Sequence, residues 1–470
     1  MMEGPIFQIL TPHQAWHYRI VPKSRSADSI EFYAEETVDQ TVLTTELEML
    51  LGQKVILDLI PSETIGRELN SHYRREQTGK TEEFLSINQA DDFLIAMIRE
   101  AKGLGSSDIH IETYEERCRI RLRIDGLMVE RFVIGKADYP SLINKIKIMA
   151  NLDIAEKRLP QDGRIFLSGT ASGKLDIRVS ILPTLHGEKV VLRLLSNDTG
   201  HLDLNNLGFS VFDLANYLEG VKRPNGIMLI SGPTGSGKTT TLYATLKLLN
   251  QKTRNVLTIE DPIEYTLEGV NQVQLKESIG LHFGSALRTF LRQDPDVIMV
   301  GEIRDPDTAN MAIRAALTGH LVLSTIHTNS AWGAIARLTD MGVPAFLVAS
   351  TLNTSVAQRL LRKLCPHCKA REEFNLGLYP RQFRPFRDVY FHYVARGCDL
   401  CFFTGYRGRQ AVYEVIPLDM ELSECIKKGL YDVKAYLNER GVRTLAENAF
   451  DLFAQGETSL EEIYPLLFNL

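Results

Sequence analysis

Residues Gly232-Pro233-Thr234-Gly235-Ser236-Gly237-Lys238-Thr239-Thr240 set Gly232 and Gly237 with four residues between them and follow them with a lysine and a hydroxyl side chain. That spacing, G-x-x-x-x-G-K-[ST], is the pattern of a phosphate loop. Glycines let consecutive backbone N–H groups curl around phosphate oxygens. A helix beginning there aims its positive end at the same oxygens. In such a loop Lys238 reaches the β and γ phosphates and the Thr239 hydroxyl faces Mg2+. The chemistry indicated is binding and hydrolysis of a nucleoside triphosphate, with ATP and Mg2+ in the site.

Two acidic strand ends follow. "VLTIEDPIEY" sets Glu260, Asp261 and Glu264 at and just beyond the end of an apolar run, and "VIMVGEIRD" does the same for Glu302, with Arg304 and Asp305 behind it. In an open parallel sheet such ends gather at the ligand crevice. One carboxylate there holds the water shell of Mg2+ and another orients the attacking water, and spacing leaves open which does which. "TGHLVLSTIHTNSA" brings His327 to a strand end flanked by hydroxyls. It is read either as a group that hydrogen-bonds a γ-phosphate or as a structural histidine. Arg288 and Arg292 are four apart in "ALRTFLRQDPD" and so share a helical face. They are plain surface or they complete a neighbouring subunit's nucleotide site.

A second chemistry is written in cysteine. Cys365 and Cys368 form one C-x₂-C pair, Cys398 and Cys401 another, and 29 residues lie between the pairs. Two such knuckles offer four thiolates to a tetrahedral Zn2+. A redox pair needs no matching second pair, and four thiolates leave a catalytic metal no open position. The expectation is a structural zinc closing a small subdomain. His367 and His392 are weaker ligand candidates.

The elements that must carry these residues are legible in outline. From residue 207 to about 355, strand-like runs alternate with helical ones: "GIMLIS", "NVLTI", "DVIMV" and "HLVLSTI" between "TTTLYATLKLLN", "LHFGSALRTFLRQ" and "DTANMAIRAALT". That rhythm is an α/β unit with a parallel sheet covered on both faces. Upstream, residues 87–193 read as α+β. "DDFLIAMIREAKG" is an amphipathic helix with Phe93, Ala96, Met97 and Ala101 on one face. "RCRIRLRIDGLMVERFV" is a hairpin turning at Asp125-Gly126. In that hairpin Cys118, Ile120, Leu122 and Ile124 face inward and Arg117, Arg119, Arg121 and Arg123 outward. The outward row is a wetted face or a contact with another part of an assembly. Residues 1–84 show no chemistry and end in a charged stretch, "SHYRREQTGKTEEF", expected to be a linker. The expected division is 1–84 (docking region and linker), 85–200 (small α+β domain), 201–355 (nucleotide-binding core), 356–412 (cysteine subdomain) and 413–470 (C-terminal helices).

Length and charge bound the rest. The chain has 470 residues, a net charge of -6 and six cysteines. The acidic total argues against direct nucleic-acid binding as the main task. Nothing reaches about 18 consecutive apolar residues, and the start has no export signal. The expected location is the cytoplasm, with membrane attachment only through partners.

The phosphate loop together with "TIEDPIEY", "LRQDPDVIMVGEIRD", "ALTGHLVLSTIHTN", "QRLLRKLCPHC" and "GCDLCFFTGYRGR" resembles the secretion ATPases of type II secretion systems and, equally, the assembly ATPases of type IV pili. The resemblance runs from about Ile87 to the C-terminus. It implies a RecA-like P-loop core, a PAS-like small domain, and a hexameric motor docked on the inner-membrane platform and cytoplasmic docking proteins of its machine. It also assigns roles. Glu264 activates water, Glu302 belongs to the Mg2+ shell, Asp261 supports the pocket and His327 senses the γ-phosphate. Arg178 and Arg193 reach phosphates as the small domain closes. Arg288, Arg292 and Arg409 lie near the nucleotide or a subunit border. The cysteine module is carried by assembly and secretion members and absent from pilus retraction motors, so it argues against retraction. A conjugation-type or DNA-uptake motor is the other alternative. Intact Lys238, Thr239, Glu264 and Glu302 oppose a non-catalytic scaffold.

Overall fold

The computed structural model describes residues 9–10, 12–26, 29–73, 90–170, 173–196, 202–430 and 432–468. Most of the expected linker at 71–84 and the first part of the expected connector at 198–206 lie outside the described residues.

The N-terminal region is a small folded unit. Its sheet runs in the order Ile20–Arg25, Ser29–Glu35, Lys54–Ile60, the first pair antiparallel and the second parallel. A parallel pair needs a crossover, and the helix Gln40–Leu51 supplies it, its first turn capped by Asp39 accepting from the N–H groups of Thr41 and Val42. Phe32, Leu47, Ile65 and Leu69 close the core.

The second unit is a six-stranded antiparallel sheet ordered Leu127–Ile134, Cys118–Ile124, Asp108–Thr113, Gly187–Ser196, Gly173–Thr184, Gln161–Thr170. Helices Ala90–Gly103 and Tyr139–Met149 pack on it. The buried stripe of the first is Leu94, Met97, Ile98 and Ala101, an i, i+3, i+4, i+7 set. Ala96 is exposed, so the apolar face is rotated from the one expected. Cys118, Ile120 and Leu122 are fully buried, as alternation requires. The arginines beside them face acids of the neighbouring strands: Glu112 accepts from Arg119 at 2.9 Å and Arg121 at 2.8 Å and pairs with Lys189 at 3.1 Å.

The third unit carries the phosphate loop. Its seven strands are ordered Asn271–Gln274, Val256–Glu260, Val297–Val300, Leu321–Ile326, Gly226–Ser231, Leu352–Leu364, Tyr406–Pro417, all parallel except the last. The four strands at its centre and left are buried along their whole length, because helices cover both faces. The sheet does not stop near residue 355. Leu352–Leu364 runs 13 residues and pairs with the 12-residue Tyr406–Pro417. The expected boundaries at 355 and 412 therefore fall inside two strands, and the cysteine module is an excursion between them. Its aromatics Phe374, Tyr379, Phe383 and Phe386 stack against Phe450 and Phe453 of the helix Leu445–Ala454. The module is thus anchored on the C-terminal helices.

Candidate functional site: a phosphate-loop cleft on a domain seam

The loop leaves the strand Gly226–Ser231 and enters the helix Lys238–Leu249 at Gly237. Gly232, Gly235 and Gly237 all have positive φ (150°, 81° and 87°). At Gly232 a Cβ would also lie 2.5 Å from the carbonyl oxygen of Gln358 and 2.7 Å from Ser236 Oγ, so the loop is pressed against the strand Leu352–Leu364. Lys238 Nζ donates to the carbonyls of Gly232 at 2.8 Å and Pro233 at 2.9 Å, curling over the loop it serves. Burial pushes its pKa down while the charge of Glu302 works the other way.

Above the loop opens a cleft of about 770 Å³ lined by residues 234–240 together with Asp261, Glu264, Glu302, His327 and Arg409. Glu302 is nearly buried. One of its oxygens pairs with Arg304, and the other lies 3.4 Å from Nε2 of His327. Arg304 also reaches Asp261 at 4.0 Å, so one guanidinium spans both acidic strand ends. In the sequence Arg304 simply follows Glu302 by two residues. Its bridging role depends on two strands being neighbours in the sheet, which spacing does not reveal.

The small domain closes one side. Arg178 donates to the carbonyl of Ile263 at 2.6 Å and lies 3.8 Å from Glu264. Arg193 donates to Asp108 at 2.9 Å, a bond that raises its pKa and keeps it charged. Cross-strand register puts Arg164 opposite Arg178, Arg178 opposite Arg193, Arg193 opposite Asp108 and Asp108 opposite Arg123. Directly opposed residues share a face, so four arginines and a single acid form one row across the sheet. At the hairpin tip, Asp125 accepts from the N–H of Gly408 at 2.6 Å and pairs with Arg409 at 3.4 Å. Read from sequence as a turn residue alone, Asp125 is also a latch between the two domains. Arg288 and Arg292 are exposed and bond to carbonyls of their own helix, Gly284 and Arg288 respectively, away from this cleft.

The four cysteines of the module meet. Their sulfurs all lie within 4.8 Å of one another, with Cys365–Cys398 at 3.9 Å and Cys368–Cys401 and Cys398–Cys401 at 3.7 Å. A tetrahedron of sulfurs at ~2.3 Å from its centre has edges of ~3.8 Å, so the set fits a zinc ion. Cys401 accepts from the N–H groups of Cys398 at 3.2 Å and Gly405 at 3.3 Å. The Cys368 thiol and these N–H groups outweigh burial and hold the Cys401 thiol down to about 5. His367 and His392 are outside the cluster; His392 is buried edge-on against Phe374.

Comparison with known proteins agrees with this architecture. The chain is 45% identical over 372 residues to the type II secretion system ATPase E of Vibrio cholerae, covering 78% of this chain and 73% of that one. It is 39% identical over 495 aligned positions to the type IV pilus assembly ATPase PilB of Myxococcus xanthus, covering 98% and 86%. That second alignment takes in the N-terminal region, which the motifs do not reach. Among solved structures, the pilus retraction motor PilT with bound ADP matches with a TM-score of 0.54 at 26% identity, over 79% of this chain and 96% of that one. The Legionella pneumophila ATPase DotB shares the fold, with a TM-score of 0.62 at 20% identity over 84% and 98%. Among the described residues, no helix is long and apolar enough to cross a membrane. The profile described as "Type II/IV secretion system protein" matches residues 86–465, and the chain belongs to that family.

Proposed function

We propose that this chain is an ATP-hydrolysing motor that powers type II secretion or type IV pilus assembly. It would work as a homo-hexamer held on the inner membrane through protein partners. The observation that carries the reading is the position of the phosphate-loop cleft. It opens on the seam where the small domain's Arg178 meets Glu264, so hydrolysis and domain movement share one place. Lys238 neutralises the β and γ phosphates. Thr239 and Glu302 are the residues to hold Mg2+, which when bound offsets charge on the transferring phosphoryl group. Glu264 accepts the proton of the attacking water, His327 reads the γ-phosphate beside Glu302, and Asp261 shapes the pocket. Arg178 and Arg193 meet phosphate charge as it develops. Arg409 serves the nucleotide edge, and Arg288 and Arg292 serve a neighbouring subunit. Cys365, Cys368, Cys398 and Cys401 hold one structural Zn2+, which supplies cross-linking of two strands' ends and no reaction step.

The test is phosphate release by the purified full chain with Mg·ATP, alone and with its membrane partner and lipid. Lys238→Ala is expected to lower turnover at least ~10²-fold with folding intact. Wild-type chain inert under all these conditions, or Lys238→Ala turning over at near wild-type rate, would overturn the reading.

A further inference from the structure

At the cleft floor lies a buried network that the roles above leave unused. Tyr243 stands five residues beyond Lys238 on the helix that follows the phosphate loop, and it is fully buried. Its hydroxyl donates to Oε2 of Glu260. The Tyr243 hydroxyl oxygen in turn accepts from the backbone N–H groups of Glu264 and Tyr265, each at 3.3 Å. Glu260 is 3% exposed. Its Oε1 accepts from Thr258 Oγ1 at 2.6 Å and from Gln272 Nε2 at 3.1 Å. Gln272 also donates to the Tyr265 carbonyl at 2.9 Å and accepts from the Leu267 N–H at 2.9 Å.

A phenol has one proton to give. Because Glu260 takes it, the lone pairs of the Tyr243 oxygen are left to accept from the backbone N–H groups of the loop carrying Glu264 and from Gln272 Nε2, also at 3.3 Å. Burial, reinforced by the Glu260 carboxylate, pushes the Tyr243 pKa above its ordinary value, so the phenol keeps that proton. The backbone of Glu264 is consequently bonded to the same helix whose first turn grips the phosphates.

We infer that Tyr243 is a positioning residue: it ties the phosphate-loop helix to the backbone of Glu264, with Glu260 as the acceptor that orients it, so that gripping the phosphates sets where the Glu264 carboxylate stands. The inference rests on Glu264 being the water-activating group. A structural tyrosine would contribute stability and leave turnover alone. A positioning tyrosine moves turnover through Glu264 and leaves nucleotide affinity alone.

The experiment uses the purified full chain and four proteins: wild type, Tyr243→Phe, Glu264→Gln and the double variant. Turnover and KM for Mg·ATP, Kd for a fluorescent ATP analogue, and melting temperature are measured for each. Tyr243→Phe removes the two bonds accepted from the Glu264 and Tyr265 N–H groups together with those to Glu260 and from Gln272, and should lower kcat about tenfold, with KM and Kd within about twofold of wild type. In the Glu264→Gln background the same change should add nothing further. Unchanged kcat in Tyr243→Phe, or full additivity in the double variant, overturns the inference. Glu264→Gln that turns over normally overturns instead the reading on which it rests. If Tyr243→Phe does not fold, Glu260→Gln decides in the same cycle: a kcat loss absent from the Glu264→Gln background supports the inference, and unchanged or additive kcat overturns it.

Discussion

Arg178 and Arg193 stand directly opposite one another on neighbouring strands of the small domain. Two like charges in that relation repel. Each is answered separately, Arg193 by Asp108 within its own sheet and Arg178 by Glu264 across the seam. A polyanion in the cleft gives both arginines a shared partner. A non-hydrolysable ATP analogue is therefore expected to raise the melting temperature of wild type by several degrees, and by less in Arg178→Ala or Arg193→Ala. Turnover should fall at least ~10²-fold in Arg178→Ala. Arg178→Lys should not restore it, since a point charge cannot hold the Ile263 carbonyl and a carboxylate together. Thermal shift and phosphate-release assays check both.

Asp125 joins the hairpin tip to Gly408 and Arg409 by a backbone bond and an ion pair. Asp125→Asn keeps the acceptor and loses the charge; Asp125→Ala loses both. Amide exchange across residues 118–134 should quicken in the order wild type, Asp125→Asn, Asp125→Ala. Equal protection in all three would show that the latch does not hold the domains.

Burial works against ionisation of Glu112, but hydrogen bonds from Arg121, Lys189 and Arg119 prevail and hold its carboxyl at about 2, below its ordinary 4.5. A carboxyl depressed on folding stabilises above its unfolded pKa, and that contribution fades as pH falls from 4.5 toward 2. Glu112→Gln should lower the melting temperature by a few degrees near neutral pH, and the gap to wild type should narrow as pH drops through that window. A gap independent of pH would place the loss in packing instead.

Gently desalted protein is expected to carry one zinc per chain by native mass spectrometry. Cys401→Ser removes the sulfur that two N–H groups support, so it should lose the ion and loosen the aromatic contacts of Phe374 and Phe383 with the C-terminal helices. Proteolysis within residues 369–397 should then quicken. A metal-free chain with an intact, protease-resistant module would remove zinc from the account.

What the sequence disclosed divides by range. The phosphate loop, Glu302 and His327 were legible because each is written in a few consecutive residues whose backbone and chemistry are local. The inward face of Cys118, Ile120 and Leu122 was legible because strand alternation is local too. The arginine row is another matter: the resemblance singles out Arg178 and Arg193, but that Arg164 aligns with them, and that Asp108 answers Arg193, depends on strand register, which residue spacing does not show. Tyr243 carries no local signal at all, since nothing nearby in sequence announces that its hydroxyl meets Glu260 and the backbone of Glu264. The long strands were missed for a related reason. Residues 352–364 carry mixed polar and apolar side chains, and their strand form is imposed by pairing with Tyr406–Pro417 on one side and Gly226–Ser231 on the other.

Those two strands have a mechanical meaning. Gln358, midway along the first, accepts from Thr241 Oγ1 at 3.0 Å and lies against Gly232 and Gly237. The six residues beyond it extend roughly 20 Å to the cysteine module. Stiffened by its antiparallel mate, this ribbon joins the phosphate loop to the cysteine module as one rigid piece. A tilt of ten degrees at Gln358 would move its far end by roughly 3.5 Å, and the C-terminal helix packed on the cysteine module would have to move with it.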